Sequence, residues 1–152
     1  MRGVFFKVPN EYGNILEKIL QNIDLNKYSW CVNEEESWIA NGDFIKDLFE
    51  KRLYNGIELY KVISGEEHYI SFVNITAFPL HSEIKPFKDY KEYEESDCQM
   101  AIFITDTTFI EIYCKNPDEL SVIQNNAIAN GYTDIEDTTD ESDGRTRFYI
   151  FG

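Results

Sequence analysis

The chain has 152 residues, of which 43% are hydrophobic and 15% aromatic, so it is long enough for one domain with a buried core. Its 28 Asp and Glu residues outnumber 14 Lys and Arg residues, and the net charge of -14 disfavours binding to nucleic acids and to anionic membrane surfaces. No segment approaches the roughly 18 apolar residues of a membrane span, and the apolar run before Lys7 is too short for a signal peptide.

The three cysteines, Cys31, Cys98 and Cys114, are odd in number and include no CxxC pair. This usage is typical of reduced thiols in a cytosol and not of a secreted disulfide framework. Together with the missing export signal, it predicts a cytoplasmic protein.

The N-terminal segment predicts a strand followed by a helix. GVFFKV is rich in aromatic and β-branched residues and ends at Pro9, as expected of a strand. From Tyr12 to Ile23 the apolar residues recur at spacings of three and four, which predicts an amphipathic helix that lies against a sheet.

The next segment predicts a hairpin and a second helix. YSWCV and SWIA flank the acidic NEEE, so residues 28–32 and 37–40 are expected to pair across a turn. Asp43 is the expected cap of a helix over residues 44–53, which ends near Asn55-Gly56.

From Ile57 to Cys114 the sequence predicts an antiparallel meander of four strands: IELYKVI, HYISFVNITAF, CQMAIFIT and TFIEIYCK. The connection over residues 79–97 is unusually long, which indicates that it is either functional or partly helical.

Asn116-Pro117-Asp118-Glu119 predicts a helix start, and Asn130-Gly131 predicts its end. The acidic stretch DIEDTTDESDG then leads into RFYIF, which is expected to form a final strand. These elements predict a single α+β domain over residues 1–152, with an antiparallel sheet of about six to eight strands and about three helices mainly on one face.

The acidic stretch does not match the ligand pattern of a calcium loop. With Gly144 at the sixth position, Thr139 stands first and Ile150 twelfth, so the first and last ligands are wrong. A strand follows the stretch, so a free acidic tail is also disfavoured. It is interpreted as an acidic hairpin arm, and no metal site is predicted.

Catalytic signatures are also missing from the sequence. The two histidines, His68 and His81, form no motif with a nucleophile, and Cys98 and Cys114 alternate with apolar residues as core side chains do. The glycines match no nucleotide-binding pattern. No catalytic residue and no cofactor are therefore predicted.

Aromatic residues set among acids indicate a surface for a basic protein partner. The alternative is that Trp38 faces the core and that the tyrosines pack on the sheet. The predicted partner-binding residues are Glu34, Glu35, Glu36, Trp38, Tyr90, Tyr93, Asp134, Asp137, Asp140 and Asp143.

The opening MRGVFFKVPNEYG, followed by WCVNEEESW, resembles a family of small Bacillus-type proteins known only as a domain of unknown function. The resemblance implies a bacterial cytoplasmic protein and supplies no site residue. In character alone, a small acidic α+β protein is similar to the immunity proteins that neutralise basic bacterial toxins.

Two functional hypotheses follow. The first is a non-catalytic, immunity-type module that binds a basic, toxin-like protein through an acidic surface. The second is a small-molecule-binding domain or small enzyme with a pocket under the loop 79–97, in which His81 is the titrating group. The sequence leaves the oligomeric state open.

Overall fold

The computed structural model describes residues 2–41 and 44–139, and within them the chain forms eight strands and four α-helices. The strands are β1 (Gly3–Lys7), β2 (Tyr28–Asn41), β3 (Phe44–Asp47), β4 (Leu53–Tyr54), β5 (His68–Pro79), β6 (Met100–Thr105), β7 (Phe109–Cys114) and β8 (Thr133–Thr138). The helices are α1 (Ile15–Ile19), α2 (Gly56–Ile63), α3 (Tyr90–Glu95) and α4 (Pro117–Ala129), and Leu25–Lys27 forms a 3₁₀ turn.

All eight strands belong to one antiparallel sheet, in the order β3-β2-β5-β6-β7-β1-β8, with β4 also paired to β2. The predicted α+β class and the predicted strand number are therefore confirmed.

The two faces of this sheet are covered differently, and we call them the helix face and the outer face. On the helix face, strand residues such as Ile112 pack with Leu59 of α2 and Ile123 of α4 in the main core. On the outer face, Tyr113 packs with Tyr93 of α3 in a smaller aromatic core. Three of the four described helices thus share one face, as the sequence predicted.

β1 lies between β7 and β8, so that Val4 is opposite both Ile112 and Asp137. The backbones approach closely here, because a Cβ atom on Gly3 would lie 1.9 Å from the Ile112 carbonyl oxygen. Glycine is therefore required at the start of this strand.

The first helix is much shorter than its apolar spacing predicted. Before α1, Gly13 exchanges two backbone hydrogen bonds of 3.0 Å with His68, which hold the chain in an extended bridge. After α1, Asn22 adopts a left-handed conformation with a φ of 69°. Asn126 of α4 donates its side-chain amide to the Ile19 and Gln21 carbonyl oxygens at 2.9 and 2.7 Å. These hydrogen bonds satisfy backbone carbonyls at the C-terminal end of α1.

The predicted hairpin over 28–40 is wrong, because β2 is one continuous strand of 14 residues. It pairs with β5 from Tyr28 to Ile39, and the acidic NEEE segment holds two register shifts in place of a turn. The long partner strand supplies ladder partners along the whole segment, which outweighs the local turn preference.

The predicted helix over 44–53 is also wrong. Residues of β3 pair with the end of β2, with Lys46 opposite Ile39, and Leu53 of β4 pairs with Cys31. Two residues of the expected apolar stripe, Ile45 and Leu53, are 74% and 55% exposed. Strand pairing decided the structure here, and the expected cap Asp43 lies outside the described residues.

IELYKVI, predicted as a strand, forms α2. Asn55 accepts from the Glu58 backbone N–H at 2.8 Å, and Glu58 accepts from the Asn55 backbone N–H at 2.9 Å, which is a complete capping box. Leu59 and Ile63, four residues apart, are both buried. The predicted meander therefore contains three strands, β5 to β7.

The remaining predicted helices and strands are confirmed where the structure describes them. The connection 79–97 is partly helical, since it contains α3. α4 begins after Asn116, whose side chain accepts from the backbone of Asp118 and Glu119, and Gly131 follows its end with a φ of 72°. Residues 133–138 of the acidic stretch form β8, and the expected strand RFYIF lies outside the described residues.

Candidate functional site

Residues of β2 that alternate along the strand form an acidic, aromatic surface on the outer face. Glu34, Glu36 and Trp38 stand opposite Asn74, Phe72 and Tyr69 of β5, respectively. Since cross-strand partners project to the same side, these side chains share one face of the sheet.

Asp47 of β3 extends this surface, because it is the cross-strand partner of Trp38. Its side chain therefore lies on the same face, and the residue is exposed. We define the Trp38 patch as Tyr12, Glu34, Glu36, Trp38, Asp47 and Tyr69.

Three aromatic rings hold the centre of the patch together. The Trp38 and Tyr69 ring centroids are 5.0 Å apart, and those of Tyr12 and Tyr69 are 5.5 Å apart. The Trp38 indole N–H donates to the Tyr12 hydroxyl at 2.7 Å. The Tyr69 hydroxyl donates to Asn10 and accepts from Thr107, both at 2.8 Å. These contacts fix the rings in place, while Tyr12 remains 44% exposed.

The acids of the patch form no close ion pairs with described residues, although Lys51 and Arg52 line a groove together with Glu34. Within the described part of the chain, no Lys or Arg side chain forms an ion pair with Glu34, Glu36 or Asp47. The patch therefore carries a negative potential around an aromatic centre. Glu35 points to the helix face, where it is opposite Val73 and accepts a hydrogen bond from the Ser37 hydroxyl.

The two tyrosines predicted as partner-binding residues have packing roles. Tyr93 is 1% exposed, and burial raises the pKa of its hydroxyl well above the usual range. Tyr90 is half-buried and stacks under the Arg2 guanidinium, which lies 3.8 Å from its ring centroid. Both belong to the aromatic packing of the outer face, so Tyr93 presents no surface to a partner.

The acids of β8 lie far from the Trp38 patch. Four strands separate β2 from β8, which places them roughly 24 Å apart at about 4.8 Å per strand. Asp134 pairs with Lys7 at 3.0 Å, and Asp137 accepts from Gln124 at 2.6 Å. Asp140 and Asp143 lie outside the described residues. The described acids of the prediction therefore do not form one face: Glu34 and Glu36 lie on β2 and Asp134 and Asp137 on β8.

The thiols are poorly placed for chemistry. All three cysteines are free and buried, and burial raises the pKa of Cys98 and of Cys114 to about 12 and that of Cys31 above its usual range. They are therefore protonated at neutral pH, and the thiolate is the reactive form. In the same described residues, no three His, Cys, Asp or Glu side chains are grouped closely enough to hold a metal ion.

The space under the loop 79–97 is filled by side chains. Phe87 and Tyr93 are buried there against Phe78 and Tyr113, whereas His81 is exposed at a turn with a φ of 68°. A groove of about 700 Å³ lies elsewhere, between the end of α1 and α2, and a small cavity adjoins His68.

No described helix is long and apolar enough to cross a membrane.

A single antiparallel sheet with helices mainly on one face and an acidic aromatic patch on the other defines an α+β protein. The chain belongs to the family described as "Protein of unknown function (DUF2691)", whose model matches residues 1–149. It is 33% identical over 151 residues to the "Uncharacterized protein YncE" of Bacillus subtilis (strain 168), covering 98% of this chain and 99% of that protein. No solved structure matches it significantly. The resemblance found in the sequence is confirmed.

Proposed function

We propose that this protein is a non-catalytic binding module of immunity type, which engages a basic protein through the Trp38 patch. The observation that carries the proposal is the fixed cluster of Trp38, Tyr69 and Tyr12 beside carboxylates that form no ion pair with any described Lys or Arg. Tryptophan and tyrosine are the residues most often responsible for affinity in protein interfaces.

Charge supports a basic partner over a neutral one. The chain carries a net charge of -14, and the acids of the patch add a local negative potential on one face. Such a field accelerates association with a cationic surface and repels acidic proteins. The aromatic rings supply short-range contact once the partner has arrived.

Preorganisation also favours binding at this patch. The Trp38 indole is already held by a hydrogen bond to Tyr12 and by stacking on Tyr69. Little rotamer freedom is lost when a partner covers such side chains, and this lowers the entropic cost of association. A cytoplasmic location is part of the proposal, and the three free cysteines support it.

The test compares three forms of the full chain as bait in host lysate: the wild type, a Trp38→Ala variant and an Asp134→Lys/Asp137→Lys control. We expect one basic protein to be retained by the wild type and the control but lost with Trp38→Ala. A neighbouring toxin gene would name the first candidate for a purified assay. Affinity should then fall steeply with salt. Equal capture by all three forms, or affinity indifferent to salt, would contradict the proposal.

The pocket under the loop 79–97 stays an alternative prediction with little support from the described contacts, because Phe87 and Tyr93 occupy that space. Ligand screening of the wild type and of His81→Ala tests it. A ligand lost only in His81→Ala would favour this alternative.

A further inference from the structure

A second, unrelated feature lies on the helix-face side of the N-terminal loop. A cavity of about 100 Å³ lies there between the segment from Val8 to Lys18, the start of β5 and the residues that follow α4. It is lined by apolar side chains that include Val8, Ile15 and Ile70, and by His68 and Tyr132. His68 and Tyr132 each carry a buried polar side-chain atom that has no hydrogen-bond partner among the described residues.

His68 presents a hydrogen-bond acceptor that has no protein partner. The residue is 2% exposed, and its Nδ1 lies 2.9 Å from the Glu66 carbonyl oxygen. A carbonyl only accepts, so Nδ1 carries the proton and Nε2 carries the lone pair when the ring is neutral. Burial lowers the pKa of the imidazole, which keeps the ring neutral at pH 7. Across residues 2–41 and 44–139, Nε2 finds no hydrogen-bond partner.

Tyr132 also lines this cavity and carries the second of these buried polar atoms. Its ring stacks on Phe6, with centroids 5.6 Å apart and an interplanar angle of 4°, so the ring position is fixed. Burial raises the pKa of the hydroxyl to about 12, and the group stays a neutral phenol at physiological pH. The hydroxyl likewise lacks a partner in the described part of the chain. Buried polar atoms without a partner are rare in proteins and call for a ligand or ordered water.

The charges around the two atoms favour a cation. Glu17 and Glu67 act electrostatically on His68, and Glu11 lines the cavity and acts on Tyr132. Lys18 also lines the cavity and opposes this field. The three glutamate carboxylates and the one lysine ammonium give this region a net negative charge.

We propose that the cavity binds a small protonated primary amine, which donates its N–H groups to His68 Nε2 and to the Tyr132 hydroxyl. An ammonium group supplies three donors and no acceptor, which suits an imidazole lone pair, a phenol oxygen and a nearby carboxylate. A volume of about 100 Å³ corresponds to roughly three water molecules at liquid density, so the ligand has about three to five heavy atoms. The apolar lining accommodates a short alkyl chain.

Nitrogen-15 spectroscopy of the histidine rings provides the test, because the chain has two histidines and exposed His81 is an internal reference. The full chain is titrated at pH 7.5 and constant ionic strength with ethylamine hydrochloride, and in parallel with ethanol and with tetramethylammonium chloride. We expect ethylamine alone to shift the His68 Nε2 resonance saturably, with His81 unchanged. An unresponsive His68, or equal shifts with all three compounds, would overturn the proposal.

A matched pair of variants tests the second contact. Tyr132→Phe removes one hydroxyl and keeps the ring on Phe6, so we expect ethylamine to bind about tenfold more weakly, the ratio typical of one hydrogen bond to a charged group. Tyr60→Phe removes a hydroxyl from exposed α2, outside the cavity, and should bind as the wild type does. Unchanged affinity in Tyr132→Phe, with the fold verified by circular dichroism, would refute the assigned geometry.

Discussion

In β2 the acidic residues Glu34 and Glu36 stand beside aromatic rings, whereas in β8 Asp134 and Asp137 stand beside Lys7 and Gln124. Both segments are acid-rich in sequence, and both lie toward an end of the sheet. Charge alone therefore does not distinguish these two regions, whereas the neighbours supplied by the fold do.

The largest contrast between the two regions concerns the backbone. Ile39 of β2 is flanked on both sides, by Lys46 of β3 and His68 of β5, whereas Glu136 of β8 pairs with Phe5 of β1 alone in the described chain. Proline lacks the N–H and fits poorly inside a sheet. We expect Ile39→Pro to lower the free energy of unfolding by about 3 kcal/mol or more and Glu136→Pro by about half of that. Urea titrations of both variants check this, and equal losses would contradict it.

A second contrast between the two regions lies in how their stability depends on pH. Burial lowers the pKa of His68 from 6.5 in the folded state, so the unfolded chain binds a proton first as the pH falls. Stability is therefore present above about pH 6.5 and is lost as the pH falls further, by at most about 1.4 kcal/mol per pH unit.

The backbone of His68 is hydrogen-bonded to Gly13, which follows Tyr12 of the Trp38 patch. We therefore expect the loss of stability at low pH to affect the Trp38 patch and to leave β8 unchanged. Unfolding free energies of the wild type, His68→Gln and His81→Ala between pH 7.5 and 5.5 provide the measurement. We expect a smaller slope in His68→Gln alone, and a wild-type slope in that variant would count against a role for His68.

Charge reversal should change the unfolding free energy differently in the two acidic regions. Asp134→Lys/Asp137→Lys removes the ion pair with Lys7 and the hydrogen bond from Gln124, so we expect a loss of about 0.5 to 1 kcal/mol in unfolding free energy. Glu34→Lys/Glu36→Lys removes no ion pair and reduces the overall repulsion, so stability should be unchanged or slightly higher. Thermal unfolding at low and high salt tests both, and a larger loss in the β2 variant would reverse the comparison.

The smallest effect is expected within the Trp38 patch itself. Tyr12→Phe deletes the acceptor of the Trp38 indole N–H but keeps the stacked ring. The hydrogen bond is exposed, so its loss should cost about 0.5 kcal/mol, at the low end for such bonds. Chemical denaturation measures this cost, and a loss above about 2 kcal/mol would show that the rings are more deeply integrated in the fold.

Local signals predicted some elements well. The bounds of α4 were predictable from Asn116-Pro117 and Asn130-Gly131, because helix caps are formed by residues that are adjacent in sequence to the helix ends. α2 carried an equally local signal, Asn55 with Glu58, yet IELYKVI is also rich in the β-branched and aromatic residues that are typical of a strand. Seven residues are too few to distinguish the helical period of about 3.6 residues from the strand period of about 2 residues.

The structures that pattern reading missed depend on distant partners. β2 is continuous because β5 pairs along most of its length, and β3 is a strand because β2 offers an edge. The same holds for the Trp38 patch. Trp38 and its acids were predicted, but Tyr12 and Tyr69 reach it only through the fold, and Asp47 was placed on a helix. His68 and Tyr132 have no shared sequence signal at all.

The position of β1 between β7 and β8 has a consequence for synthesis on the ribosome. Both partners of Val4, Ile112 and Asp137, are made more than a hundred residues after it. At about 5 to 20 residues per second, the first strand waits roughly 5 to 20 s for a neighbour. During that interval the apolar GVFF segment has no strand neighbour, so β1, which lies second from one end of the finished sheet, is among the last strands to be enclosed.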